Sequence, residues 1–217
     1  MNKIKKILLL LLAVMLCFTA CQPQESESEP EEPELTQEEI VNYMSLTYVN
    51  GASTDANYPV ETEVVLPGRH FVFEDVVSNP AELLVYEYFY ASGTGDYEYL
   101  VNHTVGSDIK RGLQTCLKLD AQGLFYENVI LHEMGIVPIE DFFDFQYDFC
   151  EDVATLGGTY GFSEYTVVKA RASYQYNDLY REMDSEAEDG EVIRYLLVGR
   201  TDGDYFLVEI YGEDYVK

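Results

Sequence analysis

Apolar and polar positions follow two different periods along this 217-residue chain. Between residues 165 and 176, Thr166, Val168, Ala170, Ala172, Tyr174 and Tyr176 alternate with Lys169, Arg171, Ser173 and Gln175, which predicts a half-buried strand. Residues 191–200 and 204–211 flank Thr201-Asp202-Gly203, a hairpin signal. Upstream the period lengthens. Ser78-Asn79-Pro80 predicts a helix start with proline in the first turn; Leu83, Leu84, Tyr86, Tyr88 and Phe89 make that helix heavily apolar, and Ser92-Gly93 closes it. Asp96 opens a short helix reaching His103, and Ser107-Asp108 opens another with Ile109, Leu113, Cys116 and Leu117 on one face.

Residues 60–66 and 70–77 read as short strands about the turn Pro67-Gly68. Before them Thr36-Gln37-Glu38-Glu39 is a capping box, followed at helical spacing by Ile40, Val41, Met44 and Tyr48, with Asn50-Gly51 as the stop. Residues 125–139 are ambiguous in period and strand-like around Val129–Leu131. Residues 139–156 read as a helix, because Ile139, Phe142, Phe143, Phe149, Cys150, Val153 and Leu156 recur at three or four and Gly157-Gly158 follows. Helices first and a long antiparallel meander last predict an α+β domain, with the helices packed on one face of an antiparallel sheet.

The first twenty residues carry Lys3, Lys5 and Lys6 and then an apolar run from Ile7 to Phe18. Twelve helical residues cover about 18 Å, short of the roughly 30 Å hydrocarbon core, so the run reads as a secretory signal peptide over residues 1–20. Phe18-Thr19-Ala20-Cys21 resembles the lipobox of bacterial lipoproteins, with Phe18 where leucine is usual. That resemblance implies a diacylglyceryl thioether on Cys21, which becomes the mature N-terminus, and an extracytoplasmic domain anchored to the cell membrane. Two or more acyl chains make such anchoring stable where one is marginal. Residues 22–35, rich in Glu, Pro and Ser, bury almost nothing and read as a disordered acidic linker. About 180 residues from Thr36 onward remain, enough for one domain.

Charge narrows the partners. Losing residues 1–20 removes three of the 13 basic residues and none of the 40 acidic ones, leaving 10 against 40 and a net −30. Nucleic acid is excluded, since affinity for phosphates comes from basic clusters, and flat docking on anionic lipid is disfavoured. The charge itself serves solubility or attraction to cations and basic proteins. Glu140, Asp144, Asp148 and Glu151 mark one stripe of the 139–156 helix, a candidate surface for a basic partner or divalent cations. A straight helix face offers few converging oxygens for a hard cation, so no metal is assigned. The loop Asp184–Glu191 fails as an EF-hand, with Asp189 where glycine is needed and Tyr195 where glutamate is needed.

Cys116 and Cys150 remain beside the lipid site. In an exported protein they form a candidate disulfide, closing a loop of roughly 35 residues and contributing about 3–4 kcal/mol, or they pack as small hydrophobes. His70, His103 and His132 lack ligand spacing, there is no G-x-S-x-G elbow, and Gly157-Gly158-Thr159-Tyr160-Gly161 lacks the lysine of a P-loop. No catalytic residue and no cofactor is assigned. Nineteen tyrosines leave many amphipathic rings; Tyr86, Tyr88, Phe89 and Tyr90 on one helix read mostly as core, with lining a pocket or forming a contact surface as the alternatives.

The segment Leu84-Val85-Tyr86-Glu87-Tyr88-Phe89-Tyr90-Ala91-Ser92-Gly93-Thr94-Gly95-Asp96-Tyr97-Glu98-Tyr99-Leu100 resembles the opening of cystatin-like, NTF2-like domains, and residues 192–212 resemble their closing hairpin. The resemblance covers roughly residues 80–217 and leaves 36–79 as an N-terminal extension. It implies helices wrapped by a curved sheet into a cone that holds a small apolar ligand, and it implies no chemistry. The leading expectation is therefore a non-enzymatic surface lipoprotein serving binding or scaffolding. The alternative is a small-molecule isomerase or hydrolase using the cone, and a third is a calcium-steadied adhesion module.

Overall fold

The computed structural model describes residues 47–49, 58–138, 141, 159–184 and 187–213. The chain divides into two compact units, Met1–Glu34 and Leu35–Lys217, and all described residues lie in the second. They form a mixed α+β domain around a mostly antiparallel, curved, open sheet.

The sheet begins with the predicted hairpin. Strands β2 (Glu63–Leu66) and β3 (Arg69–Phe73) pair antiparallel across Pro67-Gly68. Ahead of them β1 is the dipeptide Thr47–Tyr48, parallel to Glu164–Tyr165. Tyr48 therefore sits in a strand, not in the helix that its spacing predicts. Its ring meets Tyr165 edge-on at 5.0 Å and its hydroxyl donates to Val137 O at 2.6 Å. Those tertiary contacts outweigh a weak local preference.

Three helices then cross from β3 to its parallel neighbour. Helix α1 (Pro80–Thr94) starts as expected: Asn79 Oδ1 accepts from Glu82 N–H at 2.9 Å, Pro80 fills the first turn, and Glu82 Oε2 accepts in return from Ser78 N–H at 2.8 Å. It runs past Ser92-Gly93 to Gly95, whose left-handed φ of 84° and N–H bond to Ala91 O make the true stop. Gly93 stays helical because the helix presses on β3 there; a Cβ would stand 2.9 Å from that of Phe71. Helix α2 (Glu98–Asn102) is short, and α3 (Ser107–Ala121) buries Ile109 and Leu113. Leu117, expected on the same face, is 41% exposed.

Strand β4 (Tyr126–Ile136) pairs parallel with β3, so the hairpin assigned above to an N-terminal extension is continuous with the sheet. Strand β5 (Glu164–Tyr176) lies antiparallel to it. Helix α4 (Asp178–Met183), capped by Asn177, leads to β6 (Gly190–Thr201) and β7 (Asp204–Tyr211), joined by the predicted turn. Asp202 (φ 52°) and Gly203 (φ 95°) both take the left-handed conformation that such a two-residue hairpin requires.

The main core lies between the helices and one sheet face, around Phe71, Leu84, Phe89, Leu100, Leu131 and Leu196, all fully buried. Each such side chain contributes about 1.5–3 kcal/mol. The opposite face has its own cluster, with Phe162, Tyr165, Val167, Tyr195 and Leu197, so β5 and β6 are buried on both sides at that end. No described helix is long and apolar enough to cross a membrane.

Candidate functional site

The inward row of β5 changes character along its length. Val168, Ala170 and Ala172 are fully buried; Tyr174 and Tyr176 then project from the same face and are only half-buried. Tyr126 opens β4 opposite Tyr176, its ring 4.5 Å from Tyr174 and 4.8 Å from Tyr176. Tyr88 comes from α1, and Arg194 from β6, where it follows Val192 and precedes Leu196 on the inward row. Together they line a cavity of about 360 Å³, with Glu188, Asp189 and Glu191 at its rim. A smaller hollow of about 100 Å³ adjoins it, shares Tyr126 and Tyr176, and reaches Tyr97 and Cys116.

The mouth is held by polar contacts that follow from β5 stopping at Tyr176. Asn177 Oδ1 accepts from Tyr180 N–H at 3.0 Å to start α4, which brings the Tyr180 ring to 4.4 Å from Tyr176. Asp189 Oδ1 accepts from Tyr176 N–H at 2.8 Å and pairs with Arg181, which also holds Glu127 and Asp178. The acidic loop read above as a failed calcium site thus spends Asp189 on closing the chain.

Burial governs the phenols. It pushes Tyr88 up to about 12, with the Cys116 thiol adding and Arg194 opposing. Burial likewise raises Tyr174, assisted by Tyr88 and Tyr126, and again Arg194 opposes. Tyr126 rises through burial and the neighbouring Tyr176. All three are neutral hydroxyls at neutral pH, able to donate. The hydroxyls of Tyr88 and Tyr174 have no hydrogen-bond partner among the described residues.

No protein-family model, curated protein or solved structure matches the chain. The site is therefore read from its own residues. Of those singled out from sequence, Cys21, Cys150, Glu140, Asp144, Asp148 and Glu151 lie outside the described residues. Cys116 is a free, half-buried thiol, its pKa raised first by burial and then by Asp120, which disfavours the reactive thiolate. Among the described residues no group of acids, histidines and cysteines is arranged to hold a metal ion. Tyr88 lines the cavity, whereas Tyr86 and Phe89 are core.

The outer face carries two features that sequence spacing did not suggest. His132 Nδ1 lies 2.6 Å from Glu74 Oε2 and its Nε2 lies 2.8 Å from Ser173 Oγ. This serine–histidine–carboxylate chain lacks what acyl transfer needs next. Ser173 sits mid-strand, paired to Ile130 and Glu191 on either side, so its backbone amides belong to the sheet ladder and form no oxyanion hole. Nearby, a hollow of about 450 Å³ is bordered by Asp75, Glu133, Lys169, Arg171 and Tyr195. Its charges are largely engaged, since Asp75 accepts from Met134 N–H and Glu133 from Arg171. Pro138 and Asp141, at its edge, border residues outside the described set.

Arg194 was not singled out from sequence, although a signal exists. It interrupts the apolar run Val192, Leu196, Val198 of the inward row, whose other charged position, Arg200 near the strand's end, pairs with Glu164.

Proposed function

We propose that this chain is an exported lipoprotein, tethered to the cell membrane through Cys21, whose α+β domain is a non-enzymatic binding module of cystatin-like or NTF2-like type. The acidic stretch 22–35 serves as its spacer, and the domain takes a small molecule in the cavity formed by Tyr88, Tyr126, Tyr174 and Arg194. The basic start, short apolar run and lipobox-like Phe18–Cys21 support export and lipidation. Helices on one face of a curved sheet, with a cavity between the two layers, support the fold reading.

One observation carries the binding role: a cavity of about 360 Å³, lined by phenols and a guanidinium, stands on the helix-facing side of an otherwise filled sheet. Such a volume lies within the roughly 300–1,000 Å³ common for ligand pockets. Its lining joins phenols and one guanidinium with the carboxylates Glu188, Asp189 and Glu191 at the rim; His70, His103 and His132 stand elsewhere.

Anchoring is tested by feeding a bacterial host that expresses the full chain an alkyne-bearing fatty acid. The chain should acquire label and fractionate with membranes, and Cys21→Ser should abolish both. Unlabelled wild-type protein, or label that persists in Cys21→Ser, would overturn the anchor.

A further inference from the structure

We infer that the tyrosine-lined cavity takes a small organic monocarboxylate, its charged end on Arg194 and its apolar body against the rings of Tyr88, Tyr126 and Tyr174. This rests on the proposed reading of that cavity as a ligand site and adds the chemical class of the ligand.

The other arginines are all engaged. The chain has six, against 40 acidic residues. Arg69 pairs with Asp120 at 2.5 Å, Arg171 with Glu133 at 3.0 Å and Glu191 at 3.2 Å, Arg181 with Asp178 at 2.8 Å, and Arg200 with Glu164 at 2.5 Å. Arg111 pairs with Asp108. Arg194 alone has no carboxylate partner among the described residues. Its one hydrogen bond there runs from Nη1 to Ile193 O at 3.2 Å, which leaves most of its five N–H donors unused. A half-buried guanidinium lining a cavity, with no carboxylate partner among the described residues, keeps donors that an anion can take up.

Hydrogen-bond donors surround Arg194. The unpartnered hydroxyls of Tyr88 and Tyr174 are donors, and Arg194 is close enough to bias both toward ionisation. A carboxylate accepts from all three groups; an ammonium would meet like charge. At the rim Glu188, Asp189 and Glu191 add negative charge that Arg181 and Arg171, each shared with other carboxylates, offset only in part. One cation inside and acids at the mouth suit a monoanion and disfavour a dianion such as phosphate. The rings suit a planar apolar body.

The test uses the full chain in detergent with two probes of equal shape, naphthoate and its neutral amide, naphthamide. Titration followed by NMR, with Tyr88 and Arg194 resonances reporting location, should show naphthoate binding at least about ten-fold tighter, the scale of a charge-assisted hydrogen bond. Arg194→Met should erase that preference. Gly212→Asp gives a second route, because a Cβ there lies 3.8 Å from Arg194 Nη1 and no backbone strain attends the change. It supplies the missing carboxylate within the chain and should compete naphthoate out while leaving the fold intact by circular dichroism. Equal affinity for both probes, or a preference that survives in Arg194→Met, would overturn the carboxylate class and leave the cavity a ligand site. Binding of neither probe would overturn the ligand site as well.

Discussion

Two regions of one sheet face are built from the same strands and end differently. Under α1, Phe71, Leu84, Phe89, Val129 and Leu131 have no exposure, and Phe71 meets Tyr86 and Tyr90 edge-on at 5.7 and 5.5 Å. Toward the start of β6, Tyr126, Tyr174 and Tyr176 are half-buried around open space. A single cross-strand row passes from one region to the other: Phe71, Val129, Tyr174, Gly190. At the first three positions a side chain fills the layer. At the fourth there is none, and a Cβ placed on Gly190 would meet nothing within 4 Å. The cavity thus begins where the row runs out of side chains, and a helix seated on small Ala170 and Ala172 cannot settle equally close over tyrosines.

The sharpest way to break this contrast is at the filled end. Phe71→Ala removes a fully buried ring that also seats Gly93 of α1, and should cost about 3–5 kcal/mol. Urea unfolding would read it as a large fall in midpoint. A loss under about 1 kcal/mol would mean that the region repacks freely and is not the rigid partner of the comparison.

How much of this was legible depended on whether local pattern and tertiary position agreed. In β5 they do from Val168 onward: the alternation to Tyr176 is the one observed, because the strand is central, whereas Thr166 and Val167 are both buried where the second cluster covers the other face. Asn79-Pro80 and Asp202-Gly203 were legible since their chemistry is local. Strand β4 was not. Its register shifts between Tyr126 and Asn128 and again between Leu131 and Glu133, so the apolar phase jumps from Val129 and Leu131 to Met134 and Ile136. A period of two read through two bulges looks like no period. Tyr88 and Tyr86 are two residues apart on one apolar helix, and only the sheet beyond decides that one lines a cavity while the other is core. Arg194 shows the same limit: its missing partner is a property of five other arginines in three dimensions.

The phenols offer a second comparison, this time by pH. Burial raises Tyr88, in the open region, from the ordinary 10.0 to about 12, and raises Tyr86, which donates to Glu61 O at the filled end, in the same direction. A raised pKa means that the native state keeps a proton the unfolded chain gives up. The stability these groups contribute is therefore intact below about pH 10 and is lost as pH climbs through about 12. Urea midpoints should decline across that window, and the ring resonances of Tyr88 and Tyr86 should show no ionisation while the chain is native. Tyr88→Phe should make the decline shallower. A midpoint level to about pH 12, or ionisation of the Tyr88 and Tyr86 rings near pH 10 in the native state, would show that water already bathes the rings on both sides.

The smallest effect is expected where the row ends. Gly190 lies at the first position of β6, opposite Tyr174, with no positive φ to hold it to glycine. Replacing it by valine adds a β-branched side chain that strands favour and removes backbone freedom from the unfolded chain, together worth about 0.5–1 kcal/mol of added stability. Its methyl groups would project from the Tyr174 side of the sheet into the cavity and narrow it between Tyr174 and Val192. Gly190→Val should therefore melt slightly higher than wild type and bind naphthoate more weakly, so that one substitution extends the filled region at the expense of the open one. Lower stability would mean the space is not there to be filled. Unchanged binding would move the ligand away from this row, toward the smaller hollow beside Cys116, where the same probe should then perturb Tyr97 and not Tyr88.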